Sequence, residues 1–318
     1  MRHAADDGRP GPCYTSPPMR VRVMEPFHSL FYAPQYVALG LGHLADEGLQ
    51  VEIETSRPGR TTVTGLLDGS LDISMGGIMR SLDLADREGR FIPHFAEVNS
   101  RNGFFLLSRE PRPDFTWSQL RGRTVISFAE APTPWQCMLT VLRRHGVDPR
   151  EVKISRELMV PEAVAAFRAG QAEFLETGQP MAEELLSAGA AHLVASMGDA
   201  TGPVPFSSYM TTPESLRTRP DLVLAFTRAH YRTQRWMVEH SGAEIADVVA
   251  PWFADIDPVI RTRVVERYLR QATWARDPLI RRPGYDYLHT ILLSGGFIRK
   301  SHRYEDLIDT TVAERAMG

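Results

Sequence analysis

The stretch FHSLFYAPQYVALGLGHLADEGLQVEIETSRPGRTTVTGLLDGSLDISMGG, Phe27 to Gly77, decides the fold. Just before it, Val21 and Val23 alternate with arginines, the period of a half-buried strand. A polar, aromatic turn follows at Phe27, His28 and Ser29. Pro34 suits the first turn of a helix, and the spacing predicts an amphipathic helix with Val37, Leu41 and Leu44 on its apolar face, closed at Gly48. Val51 and Ile53 open the next strand, so strand, helix and strand have the spacing of a parallel crossover. A short helix through Val63, Leu66 and Leu67 ends near Gly69, and a third strand, Asp72 to Met75, runs into Gly76 and Gly77. Ligands of such units sit beyond the carboxyl ends of the strands, here the Phe27 and Gly76 turns.

The chain downstream repeats the theme. Gly103 to Ser108 reads as a strand, and EPRPDF, with its paired prolines, reads as a linker after which a second lobe begins. Within that lobe Thr124 to Ser127, Val152 to Ile154, Glu173 to Glu176 and His192 to Ser196 read as strands. Helices run through Trp135, Met138 and Leu142 and from Pro161 to about Gly170. LLDGSLDISMGG in the first part and FRAGQAEFLETGQP in the second both read helix, glycine, acidic strand, glycine turn, which suggests two homologous halves. The chain is expected to cross back near Gly202 to Ser208, and the remainder is helical by period. The expected organisation is a segment 1–18 without structure, a first lobe from 19–107 and 206–318, and a second lobe from 108–205.

The pattern of aromatic turn, P-x-x-x-A, L-A-D-E-G-L-x-V-E-I and L-x-x-G-x-L-D-I resembles the substrate-binding proteins of nitrate, taurine and alkanesulfonate importers. Their superfamily also holds pyrimidine-precursor binding proteins and thiamine-pyrimidine synthases. LRGRTVIS at Leu120, RRHGVDPREVKI at Arg143 and AVAAFRAGQAEFLETGQP at Ala163 follow in the order the resemblance requires. It covers about Met19 to Ala313. What it implies is an α/β, two-lobed periplasmic-binding-protein-like clamshell of type II, each lobe a mostly parallel mixed sheet flanked by helices, with two hinge crossovers. It also places the C-terminal helices on the first lobe.

With 318 residues the chain is long enough for two lobes with their own cores. A net charge of -3 gives no electrostatic case for nucleic acid or an anionic membrane surface. Cys13 and Cys137 lack the spacing of a disulfide framework or a zinc site. No run approaches the ~20 apolar residues of a membrane span. Residues 1–18 carry no apolar secretion signal, which points to the cytoplasm, whereas the resemblance implies work outside the inner membrane.

Several residue groups are candidates for ligand contact. Phe27, His28, Ser29 and Tyr32 combine flat apolar faces with hydrogen-bonding groups, the mixture of a small-molecule pocket. Gly76 and Gly77 let backbone approach a ligand, and the helix expected from Ile78 points free amides at it. Ser127, Phe128, Glu130 and Thr133 occupy the matching loop of the second lobe, and Glu176, Thr177 and Gln179 lie in ETGQP, with the one facing the cleft left open. Phe206 and Ser207 lie at the return crossing. Arg57, Arg60 and Arg80 flank the first lobe's loops and could hold a sulfonate or carboxylate, but arginine supplies all but two of the 36 basic residues, so a solvated role is the default expectation.

Two functions follow. In the first, the chain is a monomeric solute-binding protein that captures a sulfonate, carboxylate or pyrimidine-like heterocycle and presents it to an ABC permease, with no cofactor, metal or catalytic residue. In the second it is an intracellular enzyme or ligand sensor on the same fold, using His28 in the cleft. The synthases' lysine and histidine fall on Gly76 and Arg80 here, and the desulfinases' first-loop cysteine is absent. Lys153 and Lys300, the only lysines, lie outside the expected cleft loops. Residue content favours binding.

Overall fold

The computed structural model describes residues 17–318. Except for Pro17 and Pro18, the expected unstructured segment lies outside the described residues, as does Cys13. Ten strands are described: β1 (Met19–Glu25), β2 (Leu49–Thr55), β3 (Ile73–Gly76), β4 (His94–Asn99), β5 (Phe105–Ser108), β6 (Thr124–Ile126), β7 (Lys153–Ser155), β8 (Phe174–Thr177), β9 (His192–Ser196) and β10 (Ser207–Met210). They form two five-stranded sheets, ordered β2-β1-β3-β10-β4 and β7-β6-β8-β5-β9. In each, three strands are parallel and the remaining two enter through antiparallel pairing.

Local sequence explains the parallel cores. Val21, Val23 and Met24 of β1 are buried, and the whole of β3 is buried because helices cover both faces. The helix predicted from Pro34 through Leu44 is in fact two, Ala33–Gly40 and His43–Asp46. Gly42 between them has φ 71, a left-handed backbone that an α-helix cannot contain. Leu44 remains buried on the second piece.

The expected division after 107 is corrected by the pairing of β5. Phe105 to Ser108 lie between β8 and β9, so the whole strand belongs to the second sheet. The chain crosses before β5, not at EPRPDF, because the apolar run Phe105–Leu107 is buried in the second sheet while the prolines mark only a surface turn after it. The return crossing lies between β9 and β10. The two crossing segments are stitched side by side: Val204 N–H donates to Ser100 O at 3.0 Å and Phe206 N–H to Asn99 O at 2.8 Å.

The C-terminal helices pack mainly on the first sheet. Pro220–Glu239 covers Ala33–Gly40 and β2, and Thr311–Met317 packs on it and on β4. Tyr209 of β10, fully buried, meets Phe226 and His230 of that helix edge-on. Such a ring contributes about 1.5–3 kcal/mol through burial alone. Two helices from this region also reach the other lobe: Pro258–Arg270 packs on Met181–Ser187, and Arg282–Ser294 packs on Pro132–Arg144. Among the described residues no helix is long and apolar enough to cross a membrane.

Candidate functional site

A cavity of about 250 Å³ lies between the lobes, at the carboxyl ends of the parallel strands. It is slightly smaller than the ~300 Å³ of the smallest drug-sized sites, a fit for a compact ligand. Its wall is chiefly apolar and carries several aromatic rings. Phe27 of the first lobe meets Phe128 of the second edge-on at 6.4 Å, and Phe104 packs on Phe128 at 4.5 Å. Phe31 touches Phe206 and Tyr268 on the opposite side. Gly103 makes this packing possible, since a Cβ there would fall 2.3 Å from the Phe31 ring.

The candidate residues divide cleanly. Phe27, His28, Ser29, Tyr32, Gly77, Phe128, Glu130, Thr133, Thr177, Phe206 and Ser207 all line the cavity. Gly76, Ile78, Ser127 and Glu176 do not, and each is buried behind the wall. Within ETGQP it is Thr177, Gly178, Gln179 and Pro180 that reach the cavity. Glu176 is 1 % exposed and accepts from Ser127 Oγ at 2.5 Å. Burial pushes its carboxyl up to about 7, against the opposing pull of that hydroxyl. Glu176 and Ser127 therefore form a support beneath the floor rather than a contact surface.

His28 is the first-lobe residue whose chemistry matters most to the enzyme alternative, and both its ring nitrogens are taken. Nε2 donates to Trp252 O at 2.8 Å, Nδ1 lies 2.8 Å from the Tyr36 hydroxyl, and the ring stacks on Phe253 at 4.5 Å. It presents carbon, not a free lone pair, to the cavity.

Arg80 is the residue that composition hid. Arg57 pairs with Arg60 in a backbone bridge, and Arg60 reaches Glu54 outside the cavity. Arg80 lines the cavity, no carboxylate among the described residues pairs with it, and its Nε is buried without a hydrogen-bond partner. Burial lowers its basicity, with Tyr32 opposing. Two more unpartnered groups come from the second lobe. Thr133 Oγ1 is buried and unbonded, and Gln179 Oε1 accepts from Glu183 N–H at 3.0 Å, leaving Nε2 free. Glu130 Oε1 is occupied by Val160 N–H at 3.2 Å. Two of these unanswered groups, Arg80 Nε and Gln179 Nε2, are donors, and the Thr133 hydroxyl can also donate. Among the described residues no group of three or more His, Cys, Asp or Glu is placed to hold a metal ion.

The family model described as NMT1/THI5 like matches residues 31–243. The chain belongs to the NMT1/THI5-like family. A relative, YtlA of Bacillus subtilis (strain 168), named as a candidate binding protein, is 32% identical over 299 residues, 93% of this chain and 89% of its own. Among solved structures, the alkanesulfonate-binding protein SsuA of Xanthomonas axonopodis pv. citri, bound to MOPS, matches with a TM-score of 0.72 at 17% identity. That match covers 93% of this chain and 100% of SsuA. The desulfurization enzyme DSZB matches with a TM-score of 0.67 at 16% identity, over 94% of this chain and 99% of the other. At these identities the two structures speak to the fold, which is the periplasmic-binding-protein-like clamshell that the motifs implied. This family member carries the two mixed sheets and interlobe cavity of that fold, and the residues that choose its ligand are its own.

Proposed function

We propose that the chain is a solute-binding protein that captures a compact organic anion, a sulfonate or carboxylate with an apolar body, between its lobes and presents it to an ABC permease. The observation that carries this reading is the Arg80 guanidinium, desolvated and without an acid partner in a largely apolar cavity. A buried cation left unpaired is costly, and an anion supplied from solution removes that cost. Thr133 and Gln179 would add donors from the opposite lobe, so that closing the cleft completes the cradle. The aromatic wall would take the ligand's body. The family relative named as a binding protein and the SsuA likeness support capture and delivery.

A thermal-shift series with benzenesulfonate, small alkanesulfonates and benzoate, followed by mass spectrometry of the recovered compound, tests it. A ligand at ~100 times its dissociation constant adds about 2.7 kcal/mol, which a melt resolves. Stabilisation by anions, with the compound recovered intact, supports capture. Stabilisation by cations or neutral heterocycles alone, or recovery of a converted compound, refutes it.

A further inference from the structure

A second cavity, of about 280 Å³, lies behind the wall of the interlobe site. The helix Pro220–Glu239 forms one side of it through Gln234, Met237 and Val238, whose spacing puts their side chains on one helix face. Tyr268, Trp274 and Ala275 form the other side. The exposures order the cavity from floor to mouth, since Gln234 is 1% exposed, Trp274 and Ala275 7%, and Val238 55%. Tyr268 borders both cavities, so that residue is a wall common to the two.

The wall opposite the helix is held in place. Ala275 N–H donates to Val98 O at 3.0 Å and Ser100 N–H to Thr273 O at 2.9 Å, which fastens 273–275 to β4 and the residue after it. Trp274 Nε1 donates to Phe31 O at 3.0 Å. That bond uses the one polar atom of the indole, so Trp274 offers only carbon to the cavity. Ala272, in the same wall, holds φ 52, a left-handed backbone at which glycine is the usual residue.

Gln234 supplies the polar feature. Its Nε2 donates to Glu97 O at 2.9 Å and to Asp277 O at 3.2 Å. Both partners are carbonyl oxygens, which only accept, so the nitrogen must face them and the amide cannot be turned over. Oε1 is left buried, with no hydrogen-bond partner among the described residues. An acceptor of this kind in an otherwise largely apolar lining selects a molecule that brings one donor and little else that is polar. Tyr268 and Trp274, packed edge to face at 5.6 Å, favour a flat ring as its body.

We propose that this cavity is a second binding site, for a small flat aromatic molecule that carries one N–H or O–H donor and places it on Gln234 Oε1. Arg80, Thr133 and Gln179 take no part in it, so the site stands whether or not the interlobe cavity takes an anion.

Fluorine NMR titration of the full chain tests this with two probes of one shape, a fluoroindole and a fluorobenzothiophene, the second having sulfur in place of the N–H. The fluoroindole is expected to bind with a dissociation constant below about 1 mM. The fluorobenzothiophene should bind at least about tenfold more weakly, because it leaves Oε1 unanswered. Val238→Trp adds bulk at the mouth, at a position exposed enough to leave the core as it is, and Ala275→Leu adds bulk to the opposite wall. At least one of the two should weaken fluoroindole binding by about tenfold or more. No fluoroindole binding at millimolar concentration overturns the site, and so does a smaller loss in both variants, which would put the probe elsewhere on the protein. Equal binding of the two probes overturns the assigned ligand class.

Discussion

Arg267 Nε lies 2.6 Å from Glu183 Oε2, joining the helix Pro258–Arg270 of the first lobe to Met181–Ser187 of the second. Neither side chain is well exposed, at 18% and 6%, and Arg263 adds a bond to Ser187 Oγ one turn away at 2.8 Å. The next residue along, Tyr268, is part of the cavity wall. The seam that ties the lobes is thus continuous with the site between them.

Glu183→Gln should accordingly destabilise the protein by about 2 kcal/mol, because it leaves a largely buried guanidinium without its charge partner. Denaturant unfolding of the single variants and of the pair Glu183→Gln with Arg267→Met would measure this. A coupling energy near zero in that cycle would show the contact to be a passive neighbour pair.

Arg80→Met should do two opposite things. Anion affinity should drop by at least about 30-fold, corresponding to about 2 kcal/mol or more for a desolvated charge contact. The ligand-free protein should gain about 1 kcal/mol, since an unpartnered buried polar group is removed. Parallel melts with and without benzenesulfonate read both effects, and a variant that binds as before would remove Arg80 from the site.

Stability should depend on pH through four buried groups. Burial pushes Glu97 up to about 8 and Glu176 up to about 7 from 4.5, and pushes His94 down to about 3 and His230 down to about 4 from 6.5. The two carboxyls contribute stability that is complete below pH 4.5 and lost as pH rises to about 7 and 8. The two histidines contribute stability that is complete above pH 6.5 and lost as pH falls towards about 4 and 3. The slopes oppose between 4.5 and 6.5, leaving a plateau there and a decline on either side. Chemical denaturation across pH checks this, and Glu97→Gln should soften the alkaline decline; an unchanged alkaline limb would contradict the assignment.

Gly103→Ala should cost about 1–3 kcal/mol through overpacking against Phe31. It should also weaken ligand capture, because the Phe31 ring borders the cavity and is packed against Tyr32, Phe206 and Tyr268 of the same wall. A melting temperature and affinity both unaltered would mean that the crossing segment moves freely, against the stitched geometry described.

The parallel core was legible because its signals are local: alternating valines in β1, glycine after each short helix, and a strand that runs into Gly76 and Gly77. Most cavity aromatics were legible for the same reason, since loops at the strand ends are fixed by the strands. Glu176 was harder. Neighbouring residues of β8 point to opposite faces, so one position separates a cavity contact from a buried support, and sequence does not say which face is which. Arg80 could not stand out in a chain whose cations are nearly all arginine; its character comes from lost solvent and from the absence of an acid nearby, both tertiary facts. The place of β5 was equally invisible, because an apolar strand looks the same whichever sheet receives it.

The position of β10 also governs the order in which the molecule can be built. It lies between β3 and β4, yet it is made only after every strand of the other sheet. While the ribosome is still adding the second lobe, β3 and β4 have no strand to join them: β3 has one edge open and β4 has no partner strand at all. The second lobe, whose five strands lie between Phe105 and Ser196 without interruption, is the first that can close. Assembly of this protein should therefore run from the middle of the chain outward, with the amino-terminal strands waiting for a late partner and exposed to aggregation until it arrives.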